Sequence, residues 1–199
     1  MKYHALSNRG KLREALLSIP ASEFTKDVFL FSIRLAVLFG KYQTYLPAIN
    51  HTLDVLYPTI KDAISEQELI QVTKLYIFHL AHFSRDLTQA YFFADKYFGQ
   101  EPYDKSVWNV LRCLADENYE RWRKCFREQD DYLVRTVMKN NQHRLLEQRM
   151  SVMSKCYLTI TTEGIRAFLG PNWSAHIEES KYTWEQQEDR VIIRTRNKN

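Results

Sequence analysis

Helical periodicity fills the chain from His4 to Tyr157. From Ile160 to Arg196 it gives way to two short amphipathic helices, then two short strands joined by a polar turn. Only five Gly and five Pro interrupt the 199 residues. This order predicts an all-α protein with a small β wing. Its form is a tetratricopeptide-like array of helix hairpins over residues 1–140, followed by a C-terminal winged helix over residues 141–199 with a short basic tail.

Each element has a local reason. A first helix is expected from His4 to Ile19, stopped by Pro20. The next, about Ser22 to Phe39, is apolar nearly all round (Phe29, Leu30, Phe31, Ile33, Leu35, Val37, Leu38). It should be buried on several sides and end at Gly40. Gln43 to Tyr57 carries Leu46, Ile49, Leu53 and Leu56 on one stripe, and Pro58 closes it. Ser65 and Glu68 form a capping box, in which each side chain satisfies a free backbone donor. They open a helix with Leu69, Val72, Tyr76, Leu80 and Phe83 on one face. Arg85 to Phe98 is its partner, ended by Gly99 and Pro102, and Ser106–Ala115 with Tyr119–Glu128 form another pair.

A long helix from about Asn141 carries Leu146, Met150, Met153 and Tyr157 on one face. Thr161 or Thr162 caps the next, which turns Ile165, Phe168 and Leu169 inward and stops at Gly170-Pro171. Trp173 to Ser180 is the third short helix, with Trp173 and Ile177 inward. The strands are Tyr182–Glu185 and Arg190–Thr195. Trp173, Phe168 and Leu169 should form the centre of this small module. The strand with Arg190, Val191, Ile192, Ile193 and Arg194 is expected to be a sheet edge, open to strand addition by a protein partner.

A weak repeat punctuates the array. NRGKLREAL (from Asn8), LFGKYQTYL (from Leu38), FSRDLTQAY (from Phe83) and ADENYERWR (from Ala115) each join a helix end to a polar turn and reopen a helix with a bulky residue. Their spacing, roughly 30 to 45 residues, is in the range of helix-hairpin repeats. One hairpin cannot bury its apolar face alone, so stacking is forced.

Composition narrows the class. Apolar residues make up 45% and charged residues 26%, as in ordinary globular proteins. The formal charge of +4 is too small to argue for nucleic acid without a concentrated patch. Cys113, Cys125 and Cys156 lie far apart in sequence with no CxxC pairing, which reads as reduced thiols. The opening MKYHALSNRGKLREALL has no long apolar core and no small-residue cleavage site. The most apolar run, Val28 to Phe39, contains Arg34 and falls short of the roughly 20 residues that a bilayer demands. A cytoplasmic or nuclear protein is expected, with no membrane contact.

The candidate chemistry is thin. His79 and His82 stand three residues apart on a helix and could share a metal, but no third ligand and no H-E-x-x-H order accompany them. They read as ordinary helix-face histidines. The acid pairs Asp130-Asp131, Glu178-Glu179 and Glu188-Asp189 do not converge, because neighbours on a helix point about 100° apart. No Gly-rich phosphate loop, Walker sequence or G-x-S-x-G occurs. The reading is therefore of a non-enzyme, with no cofactor and no metal.

An amphipathic helix ending in Tyr157, then Ile160-x-x-x-x-Ile165-x-x-Phe168-Leu169-Gly170, a short helix, an aromatic and a terminal Val191-Ile192-Ile193-Arg194 strand resemble the winged-helix half of a PCI domain. The small-subunit branch fits best: small subunits of the proteasome lid, the COP9 signalosome and translation initiation factor 3, with their SAC3/GANP relatives. Leu114-Ala115-Asp116-Glu117-Asn118-Tyr119 resembles a helix hairpin of that family, and Tyr132-Leu133 falls near its buried leucines. Arg149–Leu158 resembles its long helix, and Tyr76–Tyr97 the hairpin before the domain. One departure stands out. Where the family often has a glycine before the aromatic of the first wing strand, Lys181, Tyr182 and Thr183 precede Trp184. The resemblance implies a scaffold without a catalytic centre, whose partners are other PCI-type subunits.

The competing reading is nucleic-acid binding, as in the messenger-RNA export adaptors of the SAC3 type. Its candidate contacts are Arg121, Arg123, Lys124 and Arg127, with Arg194, Arg196 and Lys198. Against it, the candidate recognition helix WSAHIEESK carries two adjacent glutamates that phosphates would repel.

Overall fold

The computed structural model describes residues 15–16, 18–99 and 105–194. Within them the chain is mostly helical, with one small antiparallel sheet. The first helix expected from His4 falls largely outside the described residues, as does the NRGKLREAL turn.

Helix α1 (Glu23–Leu38) begins where the Ser22 hydroxyl accepts a hydrogen bond from the Thr25 N–H at 3.3 Å. It buries Phe29, Leu30, Ile33, Ala36 and Val37. Phe24, Phe31 and Leu38 stay exposed, so the helix is buried on several sides but not all round. Helix α2 (Tyr42–His51) runs on through a π turn (Thr52–Leu56) and a last α turn (Tyr57–Thr59) that contains Pro58. Helix α3 (Glu66–His79) opens on the expected capping box of Ser65 and Glu68 and ends in a second π turn, Leu80–Ser84. Asp86 caps α4 (Leu87–Phe98). Then follow α5 (Lys105–Ala115), α6 (Tyr119–Glu128), capped by Asn118, and the long α7 (Tyr132–Cys156), capped by Asp131.

Three of the turn motifs share one backbone device. The third residue of each, Gly40, Arg85 and Glu117, has φ of 65°, 57° and 50°. This left-handed residue reverses the chain, and the next N–H reaches back to a carbonyl of the finished helix: Lys41 to Ala36, Asp86 to Leu80, Asn118 to Cys113. The repeat seen in sequence is thus a repeat of left-handed helix ends. Only Gly40 meets that conformation without a Cβ penalty.

The helices pack in sequential pairs, α1 with α2, α3 with α4 and α5 with α6. Helix α3 lies at the centre, against α2, α4 and α7. Its buried side is Val72, Leu75, Phe78, His79 and His82; of the expected face only Val72 is buried, whereas Leu69, Tyr76, Leu80 and Phe83 are half-buried. Two histidines complete the inward stripe, which hid it from an apolar count. Helix α7 has 25 residues without a break, so a boundary at residue 140 falls inside it. Its contacts run from α1 and α3 to α6 and the C-terminal helix Thr162–Leu169.

After α7 come β1 (Thr159–Thr161), α8 (Thr162–Leu169), α9 (Trp173–Glu178), β2 (Glu185–Gln187) and β3 (Arg190–Ile192). The sheet order is β1-β3-β2, all antiparallel. The sheet corrects the expectation in three respects. Strand β1 was not expected at all. The first expected strand, Tyr182–Glu185, lies too early, since pairing covers Glu185–Gln187. The strand expected at the edge is the middle one.

Candidate interaction surface and cavity

Strand β3 owes its central place to two pairings. Val191 faces Ile160 of β1 on one side and Gln186 of β2 on the other. Its backbone is used on both sides, so Arg190, Val191, Ile192, Ile193 and Arg194 do not form an open edge. Val191 is fully buried and Ile193 nearly so. The Ile193 and Arg194 N–H groups both bond the Leu158 carbonyl, and the Arg194 guanidinium bonds the Lys155 carbonyl at 3.0 Å.

The free edges are the outer sides of β1 and β2. Strand β2 is exposed along its length. A two-residue turn, Glu188-Asp189, joins it to β3. Such a loop closes on a hydrogen-bonded pair, here Gln187 and Arg190. At the next pair the Gln186 N–H and C=O therefore point away from β3.

The module core is Ile165, Leu169, Trp173 and Ile177 under Val191 and Ile193. Phe168, expected inside, is 38% exposed. Its ring lies 6.2 Å from Tyr157, and the Arg149 guanidinium sits 5.9 Å from it. Leu169, one residue on, takes the inward position.

Among the described basic candidates, some are paired with acids and others are exposed. Arg123 pairs with Glu120 at 3.0 Å and packs against Gly170, and Lys124 lies 3.9 Å from Glu128. Arg121 and Arg127 are exposed. Arg190 sits 4.0 Å from Asp189. The outer side of α9 shows Glu178 to solvent, and Glu179 follows, also exposed. Arg196 and Lys198 lie outside the described residues.

The two histidines are not surface groups. The His79 Nδ1 and the Tyr45 hydroxyl share a hydrogen bond of 2.8 Å, and the His79 ring stacks on Phe83. The His82 Nδ1–H donates to the Phe78 carbonyl at 3.0 Å. Its Nε2 therefore accepts from the Trp122 Nε1–H at 2.8 Å, which only a neutral imidazole can do. Burial pulls both down to about 4; for His82 it outweighs the Phe78 carbonyl, which acts in the opposite sense. Among the described residues no group of three His, Cys, Asp or Glu side chains is placed to hold a metal ion.

Cysteines apart in sequence are not all apart in space. Cys113 on α5 and Cys125 on α6 face each other across the hairpin, 3.9 Å between sulfurs. Burial first, and the neighbouring Cys125 next, push the Cys113 thiol up to about 12, so it rests as a thiol. Cys156 is exposed.

Where the helical body meets the C-terminal module there is a cavity of about 460 Å³. His82, Trp122 and Cys113 are among its lining, with Leu114, Leu145 and Met153 as aliphatic wall. Arg85, Arg144, Arg149 and Glu117 also line it, and Val152, Tyr157 and Phe168 form its exposed apolar margin. Sequence reasoning missed this feature, since its residues come from α3 through α8.

No protein-family model matches this sequence, and a search of curated proteins gives no significant match. Among the described residues no helix is long and apolar enough to cross a membrane.

Proposed function

We propose that the chain is a non-catalytic scaffold or adaptor subunit that joins other proteins into a larger assembly. The observation that carries this reading is the sheet order β1-β3-β2 with β1 inserted between α7 and α8. Helix, strand, helix, helix and hairpin in that order fits a winged helix set on helix pairs. This arrangement fits the PCI-type resemblance, with partners among proteasome-lid or COP9-signalosome-like subunits, in the cytoplasm or nucleus. Contact is assigned to the free edge of β2 and to the helical pairs rather than to β3.

The second reading is a SAC3-like adaptor that touches RNA. The ion pairs within α6 and the glutamates on and after α9 favour the protein scaffold over it. The discriminating experiment is binding of the full chain to a single-stranded RNA over a salt series. The scaffold reading expects weak binding that changes little when Arg121, Arg123, Arg194 and Arg196 are neutralised together. Tight binding at physiological salt would favour the adaptor, with a log–log slope that drops by about 0.7 for each phosphate the variant no longer neutralises.

A further inference from the structure

The cavity between body and module has a size typical of ligand and anchor pockets, which span roughly 300–1,000 Å³ against its 460 Å³. Its wall is aliphatic and its charge is one-sided. Three arginines line it against one glutamate. The Glu117 carboxylate already accepts from the Gln148 amide at 3.0 Å. Among the described residues no carboxylate forms a direct ion pair with Arg85, Arg144 or Arg149, although Glu120 and Glu117 are near enough to act on Arg149 electrostatically.

The two inner arginines are held in place by the protein itself. The Arg144 guanidinium lies 4.8 Å from the Phe83 ring and donates to the Phe83 carbonyl at 3.2 Å. That of Arg149 lies 5.1 Å from Tyr119 and donates to the Glu117 carbonyl at 3.2 Å. A guanidinium has five donors, so each keeps some for a ligand. Partial burial of Arg149 strengthens any ion pair it makes. The margin adds Val152 at 50% exposure, beside Tyr157 and Phe168.

We propose that this cavity docks an acidic segment of a partner protein. An apolar side chain of that segment enters against Leu114, Leu145 and Met153, and flanking carboxylates pair with Arg144 and Arg149. Charge complementarity selects the acid, and the aliphatic wall selects a neighbouring apolar anchor. RNA fits less well, because Arg149 already covers the Tyr119 and Phe168 rings on which a base would stack. The inference goes beyond the scaffold reading. It stands on the cavity alone, whatever the sheet edge binds.

The test uses the full chain and three fluorescein-labelled hexapeptides: Asp-Glu-Leu-Phe-Asp-Glu, Lys-Lys-Leu-Phe-Lys-Lys and Asp-Glu-Ala-Ala-Asp-Glu. Anisotropy should show saturable binding of the first, roughly tenfold or more tighter than of either other. Val152→Glu changes an exposed position and should weaken that binding about tenfold, as should Arg144→Gln. The proposal is overturned if no peptide binds saturably or the basic one binds as well. It is also overturned if both variants bind like the parent, or if single-stranded RNA displaces the acidic peptide at equal concentration.

Discussion

The helical body and the C-terminal module are built to different standards. The body packs long helices around α3 and pairs its buried histidine rings, His79 with Tyr45 and His82 with Trp122, though among the described residues the buried Thr73 hydroxyl and Gln129 amide nitrogen have no hydrogen-bond partner. The module consists of helices of eight and six residues and strands of three residues each. Helices that short are marginal alone. The module therefore depends on α7, which it shares with the body. It also leaves an open sheet edge, whereas the helices of the body bond their backbone groups internally. The difference separates the part that sets stability from the part that has backbone to offer a partner.

The largest expected effect lies in the body. Trp122→Ala removes a side chain that is 1% exposed and strips His82 of its donor. It should cost about 3 to 5 kcal/mol in chemical denaturation. A loss near 1 kcal/mol would show that the body is not the stabilising region.

Acid should act on the same place. Both histidines sit near pKa 4 in the folded chain and near 6.5 when unfolded. The unfolded state then binds more protons in between. Their contribution is intact above pH 6.5, falls as pH drops towards 4, and does not change further below that. Up to about 3 kcal/mol per histidine is at stake. His82→Phe should flatten part of this fall, and an unchanged pH profile would contradict the assignment.

In the module, Phe168→Ala should cost only about 1 kcal/mol, because the ring is a cavity margin rather than core. A loss above 3 kcal/mol would return Phe168 to the interior. The smallest effect tests the turns. Glu117→Gly relieves a left-handed residue at a helix end and should stabilise by about 0.5 to 1 kcal/mol. A destabilised variant would mean that the Glu117–Gln148 bond outweighs the backbone.

What was legible in the sequence followed local rules. The Ser65–Glu68 box, the bounds of α6 and the inward Ile165, Leu169, Trp173 and Ile177 could all be read from caps and periodicity. What was hidden depended on partners distant in the chain. Thr159-Ile160-Thr161 is too short and polar to announce a strand, and becomes one only by pairing with β3. Because β1 was unseen, β3 looked like an edge. His79 and His82 read as polar while serving as core. Cys113 and Cys125 could have been matched by folding the two helices about Asn118, which places them face to face. The cavity gathers residues from six helices and had no local signature.

The most direct test of the scaffold account is affinity purification of the tagged full chain and its Gln186→Pro variant, with quantitative protein identification. Proline at this position removes an outward N–H from the β2 edge and leaves the closing pair Gln187–Arg190 in place. The account predicts that the parent brings down a fixed set of protein subunits in near-equal amounts. The variant, folded by circular dichroism, should lose at least one of them. Recovery of the parent alone, or of partners that nuclease treatment removes, would contradict it.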